Sequence, residues 1–348
     1  MQLNWNTRRY DEDAIIITTI DAHTEGEPLR IVTGGWPELV GATILERREY
    51  VRKHFDHLRR ALMWEPRGHY NMYGCIVTQP VTPEADLGVL FMHNEGFSTM
   101  CGHGVIGLVT VLLETGALPV QGRQTPVNLD TPAGLVRATA HLDEHGHVER
   151  VSFLNVPSFL YAREVEIELS PFGRVMVDVA FGGAFYAILP AEHIGLQVSL
   201  EQTEQLIAAG KAIKAAVSAR LAIQHPQAAE LGFLYGTILT GPPENRAHHS
   251  RNITVFAHAE VDRSPTGTGV SARLALHAAK GELAVGQEIV IESILGAASI
   301  FSGRVVEHTR LGEFAAVVPE VSGKAYIVGR NEWVLDPHDR LGKGFLVS

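Results

Sequence analysis

Hydrophobic and polar positions divide this chain into short strand-like runs separated by Gly- and Pro-rich turns, with two longer apolar blocks. The run AIIITTI at 14–20 is apolar and β-branched, which predicts a strand. The polar run DAHTEGEP at 21–28 predicts a loop, and a mixed-charge helix is expected over about 37–62. Residues 75–78 and 89–92 predict strands. From 104 the pattern changes: GVIGLVTVLLETG is apolar almost all round and stops at Gly116, with Pro119 close behind. A helix apolar on every side belongs in the interior. Strands are then expected at 126–130, 134–141 and 148–155.

The second half repeats this plan. Strands are expected at 175–179 and 184–189, a helix at about 200–217, and strands near 234–239 and 253–258. DRSPTGTG at 262–269 leads into a second mostly apolar helix, 270–280, which closes at Gly281. Strands at 288–292, 303–307 and 324–327 complete the pattern. The segments CGHGVIG at 101–107 and TGTGVSA at 266–272 share one form, and each opens an apolar helix. Two lobes of similar plan facing each other across a cleft would explain the echo. A length of 348 residues accommodates two such units without disulfide or metal staples.

Charge and composition narrow the function classes. The net charge is −10 and dense Lys/Arg runs are absent, which argues against a nucleic-acid partner. Arg47, Arg48, Arg52, Lys53, Arg59 and Arg60 alternate with Glu46, Glu49 and Asp56, the pattern of a solvated helix face. Two cysteines, Cys75 and Cys101, argue against a disulfide framework and fit a reducing cytoplasm. The opening MQLNWNTRRYDEDA lacks a leader's apolar core, and 104–113 is about half a membrane span, so no membrane partner is expected.

The chemistry concentrates at the two helix starts. Unpaired N–H groups and the helix dipole favour negative charge there, and a cysteine so placed is expected to be more acidic and reactive. Cys101 occupies the first start, Gly102 and Gly104 let backbone approach a ligand, and His103 is a nearby donor. At the second start, Gly267, Thr268 and Gly269 offer amides to a carboxylate or phosphate, with Asp262 and Arg263 just before them. Ser264 or Thr266 is expected to cap this helix. Neither start matches a P-loop or a dinucleotide fingerprint. His248, His249 and His258 lack metal-ligand spacing, so no metal is expected. Cys75 reads as a structural strand residue, and His103 lies too near Cys101 in sequence to be assumed its base.

Six motifs in order resemble the proline racemase family: DAHTEGEP at 21–28, PRGHYNMYG at 66–74, MCGHG at 100–104, NVPSF at 155–159, DRSPTGTG at 262–269 and ESILG at 292–296. The resemblance implies an α/β (α+β), diaminopimelate-epimerase-like fold. In that fold two pseudo-symmetric lobes each wrap a mixed β-sheet around a central helix. The expected division is 1–160 carrying Cys101, rejoined by about 330–348, and 161–329 carrying Thr266. Racemases and epimerases of the family use two cysteines on opposite faces of the α-carbon. Cys101 matches the first, whereas Thr266 stands at the second, and a Thr hydroxyl is far too weak an acid for that exchange.

The Cys/Thr pair is similar to that of family members that dehydrate trans-3-hydroxy-L-proline without a cofactor. Gly102, His103, Gly267 and Thr268 are then expected to hold the substrate carboxylate, and Asp262 its ring amine. His23, Glu25, His69 and Asn71 fall in family motifs without an assigned role. A racemase or 4-hydroxyproline 2-epimerase with an altered second acid is the first alternative. A non-catalytic amino-acid-binding protein of the same fold is the second. A homodimer is compatible with the resemblance.

Overall fold

The computed structural model describes residues 11–347 apart from His258. The segment 1–10, part of the stretch read for a leader, and the strand position of His258 lie outside the described residues.

β1 (Ile15–Thr24) and β2 (Glu27–Gly34) form a hairpin turning on Glu25 and Gly26, both at positive φ. The stretch expected to be a loop is therefore strand and tight turn. Its polar atoms are buried because each finds a partner. Thr24 Oγ1 donates to the His103 carbonyl at 2.8 Å, and the Glu25 carboxylate accepts the Ile300 and Lys324 amides at 3.1 Å each. The expected helix over 37–62 is two helices, α1 (Ile44–His54) and α2 (Asp56–Met63). Thr43 caps α1 by accepting the Glu46 amide, and Phe55, at φ −127°, separates the two. The basic face is only partly solvated. Arg52 and Lys53 are exposed beside Glu49, but Arg59 is buried and donates to the His93 and Asn94 carbonyls.

Next come β3 (Tyr73–Thr78), β4 (Leu87–His93), α3 (Gly102–Glu114), β5 (Gln124–Thr131), β6 (Gly134–Leu142) and β7 (Val148–Leu154). The second series is β8 (Ser158–Leu169), β9 (Gly173–Phe181), β10 (Phe185–Pro190), α4 (Thr203–Arg220), β11 (Leu234–Gly241) and β12 (Ser250–Phe256). It continues with β13 (Glu260–Asp262), α5 (Gly267–Ala279), β14 (Glu288–Ser293), β15 (Gly296–Leu311), β16 (Phe314–Gly323) and β17 (Ala325–Leu335).

The pairings expose an internal repeat far longer than the sequence echo. β1 to β7 pair in succession as antiparallel, parallel, antiparallel, parallel, antiparallel, antiparallel. The series β9, β10, β11, β12, β14, β15, β16 gives the same order of senses. β17 pairs antiparallel with β1 as β8 does with β9, so the last strand joins the first repeat. β16 joins the repeats by pairing with both β7 and β8. The two pseudo-symmetric lobes are thus built into the hydrogen-bond pattern.

Each repeat encloses one helix. Every α3 residue from Gly102 to Leu113 is buried, which the all-round apolar sequence requires. Its core of Val105, Val109 and Phe153 runs on into Val270, Leu274 and Phe301 around α5, so the helices share one apolar cluster. Rotating one helix against the other would open that cluster, and this fixes how their N-termini meet.

Candidate active site

The two N-termini meet at glycine. A Cβ on Gly102 would lie 3.0 Å from the Gly267 Cα and 2.9 Å from the Phe153 ring, and one on Gly267 would lie 3.0 Å from the Gly102 Cα. Only hydrogen fits at both positions. Gly102→Ala and Gly267→Ala are each expected to lose about 1–3 kcal/mol of stability through overpacking, measured by urea unfolding. Unchanged midpoints in both would refute this close approach.

Around this junction lies a cavity of about 370 Å³. All seven residues singled out from the sequence line it: Cys101, Gly102, His103, Asp262, Thr266, Gly267 and Thr268. The first amides of α3 and α5 have no carbonyl one turn back to bond, and two positive helix ends converge there. That arrangement favours an anion.

Cys101 is the N-cap of α3, and its Sγ accepts the Gly104 amide at 3.4 Å. His103 Nδ1 lies 3.0 Å from Sγ, so the two residues do form a Cys–His pair despite their spacing. The imidazole also hydrogen-bonds the Pro28 carbonyl, and burial lowers its pKa. The expectation of a more acidic thiol is corrected. Burial is the largest influence and pushes the thiol up, outweighing the Gly104 amide and the Tyr73 hydroxyl, while Asp262 and Glu27 push it further. In the free protein the proton therefore stays on sulfur at neutral pH. Iodoacetamide labelling of Cys101 is expected to accelerate through pH 9.0, the ordinary thiol value, without levelling. A plateau below that pH, read by peptide mapping, would contradict the assignment.

Thr266 precedes α5 at φ 67°, a conformation that a β-branched residue rarely adopts. It does not cap the helix: its Oγ1 is buried without a hydrogen-bond partner. Ser264 organises the turn instead, accepting the Thr266 amide at 3.1 Å and donating to Asp262 Oδ1 at 2.7 Å. An unsatisfied hydroxyl on a strained backbone marks a position held for something other than stability. Thr268 Oγ1 bonds the Tyr186 hydroxyl at 2.7 Å on the same wall.

Several lining residues carried no role in the sequence reading. Glu27 is buried, and its Oε2 accepts the Arg263 amide at 2.7 Å, tying the β1–β2 turn region to the second lobe. Its carboxyl is held well above the usual range by burial and by Asp262. Tyr73 and Ser98 share a 2.6 Å hydrogen bond, and Tyr73 meets the His103 ring edge-on at 4.7 Å. Glu27 and Tyr73 lie inside quoted motifs, and Ser98 is three residues before Cys101, so position in the motifs was the available signal. His23, Glu25, His69 and Asn71 do not line the cavity. Glu25 fastens the hairpin turn, His23 Nδ1 accepts the Gly26 amide at 3.1 Å, and the Asn71 carbonyl accepts from Arg263. Cys75 is fully buried in β3. His248 pairs with the buried Glu292 at 2.9 Å. Among the described residues the metal-spaced cluster Asp11, Asp336 and His338 is exposed and outside the cavity.

The family model for proline racemase matches residues 19–346, nearly the whole chain. The chain belongs to the proline racemase family. Members of the proline racemase family that resemble it include a trans-3-hydroxy-L-proline dehydratase of Colwellia psychrerythraea, 46% identical over 99% of this chain and 96% of that protein. Another dehydratase of that name, from Bacillus cereus, is 47% identical over 96% of this chain and 98% of its own. A 3-hydroxyproline 2-epimerase of Burkholderia multivorans is 45% identical over 95% of this chain and 98% of its own. The crystal structure of a hydroxyproline epimerase from Agrobacterium vitis, with bound trans-4-hydroxy-L-proline, superposes with a TM-score of 0.86 at 28% identity. It covers 99% of this chain and 97% of that one, so the two-lobed fold implied by the motifs is the fold of a solved family member.

Proposed function

We propose that this enzyme is a trans-3-hydroxy-L-proline dehydratase that forms Δ1-pyrroline-2-carboxylate. The observation carrying the reading is that a single cysteine, Cys101, lines the cavity together with Thr266. The dehydratases from Colwellia and Bacillus support it through their similarity along almost the full chain.

The substrate carboxylate sits between the helix starts, held by Gly102, His103, Gly267 and Thr268, and the ring amine faces Asp262. The cationic amine offsets the two carboxylates that raise the thiol pKa, so substrate binding itself promotes the thiolate. His103 Nδ1 accepts the departing thiol proton. A thiolate raised by burial is also a stronger base once formed. In trans-3-hydroxy-L-proline the α-hydrogen and the hydroxyl share one ring face. Cys101 removes the proton, the C3–O bond breaks on the same side, and the enamine tautomerises. The helix-start amides stabilise charge developing on the carboxylate. Thr266 lines the opposite face and delivers no proton.

Base and anion site both come from the chain, and the reaction is proposed to run without metal or cofactor. The lobes 1–160, with 330–348, and 161–329 are proposed to close on the substrate. Two free cysteines fit a cytoplasmic site of action, and none of the described helices is long and apolar enough to cross a membrane. A homodimer is part of the proposal, checked by light scattering.

A substrate panel read by imine trapping is the test. Turnover of trans-3-hydroxy-L-proline with none of the 4-hydroxy isomers is expected. The relative named as an epimerase supports a second reading, 2-epimerisation. Inverted substrate carrying solvent deuterium at Cα, with no pyrroline, would replace the first reading by the second.

A further inference from the structure

Loss of the 3-hydroxyl needs an acid on the face of Cys101, and the proposed function leaves that acid unnamed. Thr266 and the Thr268–Tyr186 pair belong to the second lobe. His103 Nδ1 faces the thiol and its ring is engaged by Pro28. Three hydroxyl-bearing residues line the cavity on the Cys101 side, Tyr73, Ser98 and Thr99, and the first two are hydrogen-bonded to each other at 2.6 Å. Glu27 lines it too but is held by Arg263. Tyr73 packs edge-on against His103, whose Nδ1 lies 3.0 Å from the Cys101 sulfur, and shares a core cluster with Cys101, so its hydroxyl acts on the thiol at close range. Tyr73 is buried on β3, and Ser98 is the half-buried end of the chain nearer the open cavity.

We propose that Cys101, Tyr73 and Ser98 form a proton relay, in which Ser98 is the general acid that protonates the departing 3-hydroxyl. This rests on the dehydratase reading. Before reaction, Ser98 donates to the Tyr73 oxygen and Tyr73 donates to the thiolate. Once the α-proton is on sulfur, the directions reverse. The S–H bond breaks as a new Tyr73 O–H forms, the old Tyr73 proton passes to Ser98, and the Ser98 proton passes to the leaving oxygen. The C3–O electron pair leaves with water, and the Cα–H pair becomes the Cα–C3 double bond. The thiolate is restored without any outside acid, and the carbanion is not stranded beside a poor leaving group.

The relay separates two events that a purely structural role would not. Ser98→Ala and Tyr73→Phe keep the base and lose the acid. Both variants are expected to fall about 10²–10⁴-fold in pyrroline formation. In deuterated water they should still place deuterium at Cα of recovered substrate with retained configuration, because Cys101 can remove and return a proton on its own face. Thermal melts of both variants confirm folding. Pyrroline formation within about threefold of wild type in Ser98→Ala overturns Ser98 as the acid. Exchange and elimination falling together in both folded variants overturns the relay. Wild-type protein run in parallel tests the underlying reading separately, since absence of pyrroline there rejects the dehydratase assignment and not the relay alone.

Discussion

Cys101→Ala is expected to lose at least about 10⁴-fold in turnover of trans-3-hydroxy-L-proline while remaining folded. Every step of the proposed chemistry passes through this sulfur. It is the only thiol lining the cavity, since Cys75 is sealed within β3. Removing the side chain takes away the base, the acceptor of the Gly104 amide and the partner of His103 Nδ1 together. The neighbouring hydroxyls cannot replace it, because burial pushes the Tyr73 phenol well above its ordinary value of 10.0. Deuterium at Cα should vanish along with pyrroline, which distinguishes this variant from loss of the acid. Cys75→Ala is the control and should keep turnover. Near-normal rates in Cys101→Ala would remove Cys101 from the base role.

The site was more legible in the sequence than the fold around it. The seven residues named from motifs and helix starts come together because both starts are glycine-rich and sit at equivalent places in a repeated topology. Local periodicity found α3 and α5 for a physical reason: a helix buried on all sides has to be apolar on all sides. It failed at DAHTEGEP, where polar residues form a buried hairpin end whose partners lie about 270–300 positions away in sequence. It also missed β8 and β16, whose polar faces alternate with core residues and which, besides pairing with their sequence neighbours β9 and β15, pair with each other across the chain. The thiol's acidity was misread for a similar reason. A helix start is visible in sequence, but the burial that outweighs it is a property of the assembled lobes.

Thr266→Cys is expected to convert a one-faced enzyme into a two-faced one. The exchange replaces a β-branched residue at φ 67° by an unbranched one, so the backbone should accept it. It also removes a buried hydroxyl that has no partner. A thiol there stands at the start of α5, across the Gly102–Gly267 junction from Cys101, and can protonate the face opposite to the one deprotonated. For a substrate with no leaving group at C3, the carbanion has no route but reprotonation. Trans-4-hydroxy-L-proline should then give cis-4-hydroxy-D-proline at a rate at least about 10²-fold above wild type. With trans-3-hydroxy-L-proline, inversion has to compete with loss of water, so pyrroline should still form and the D-epimer should appear beside it. Chiral chromatography of both reactions in deuterated water provides the measurement. A Thr266→Cys protein that still dehydrates but yields no D-isomer from either substrate would show that this position is not aligned with the second face. In that case the Cys/Thr pair would no longer explain why one fold exchanges protons in some relatives and removes water in others.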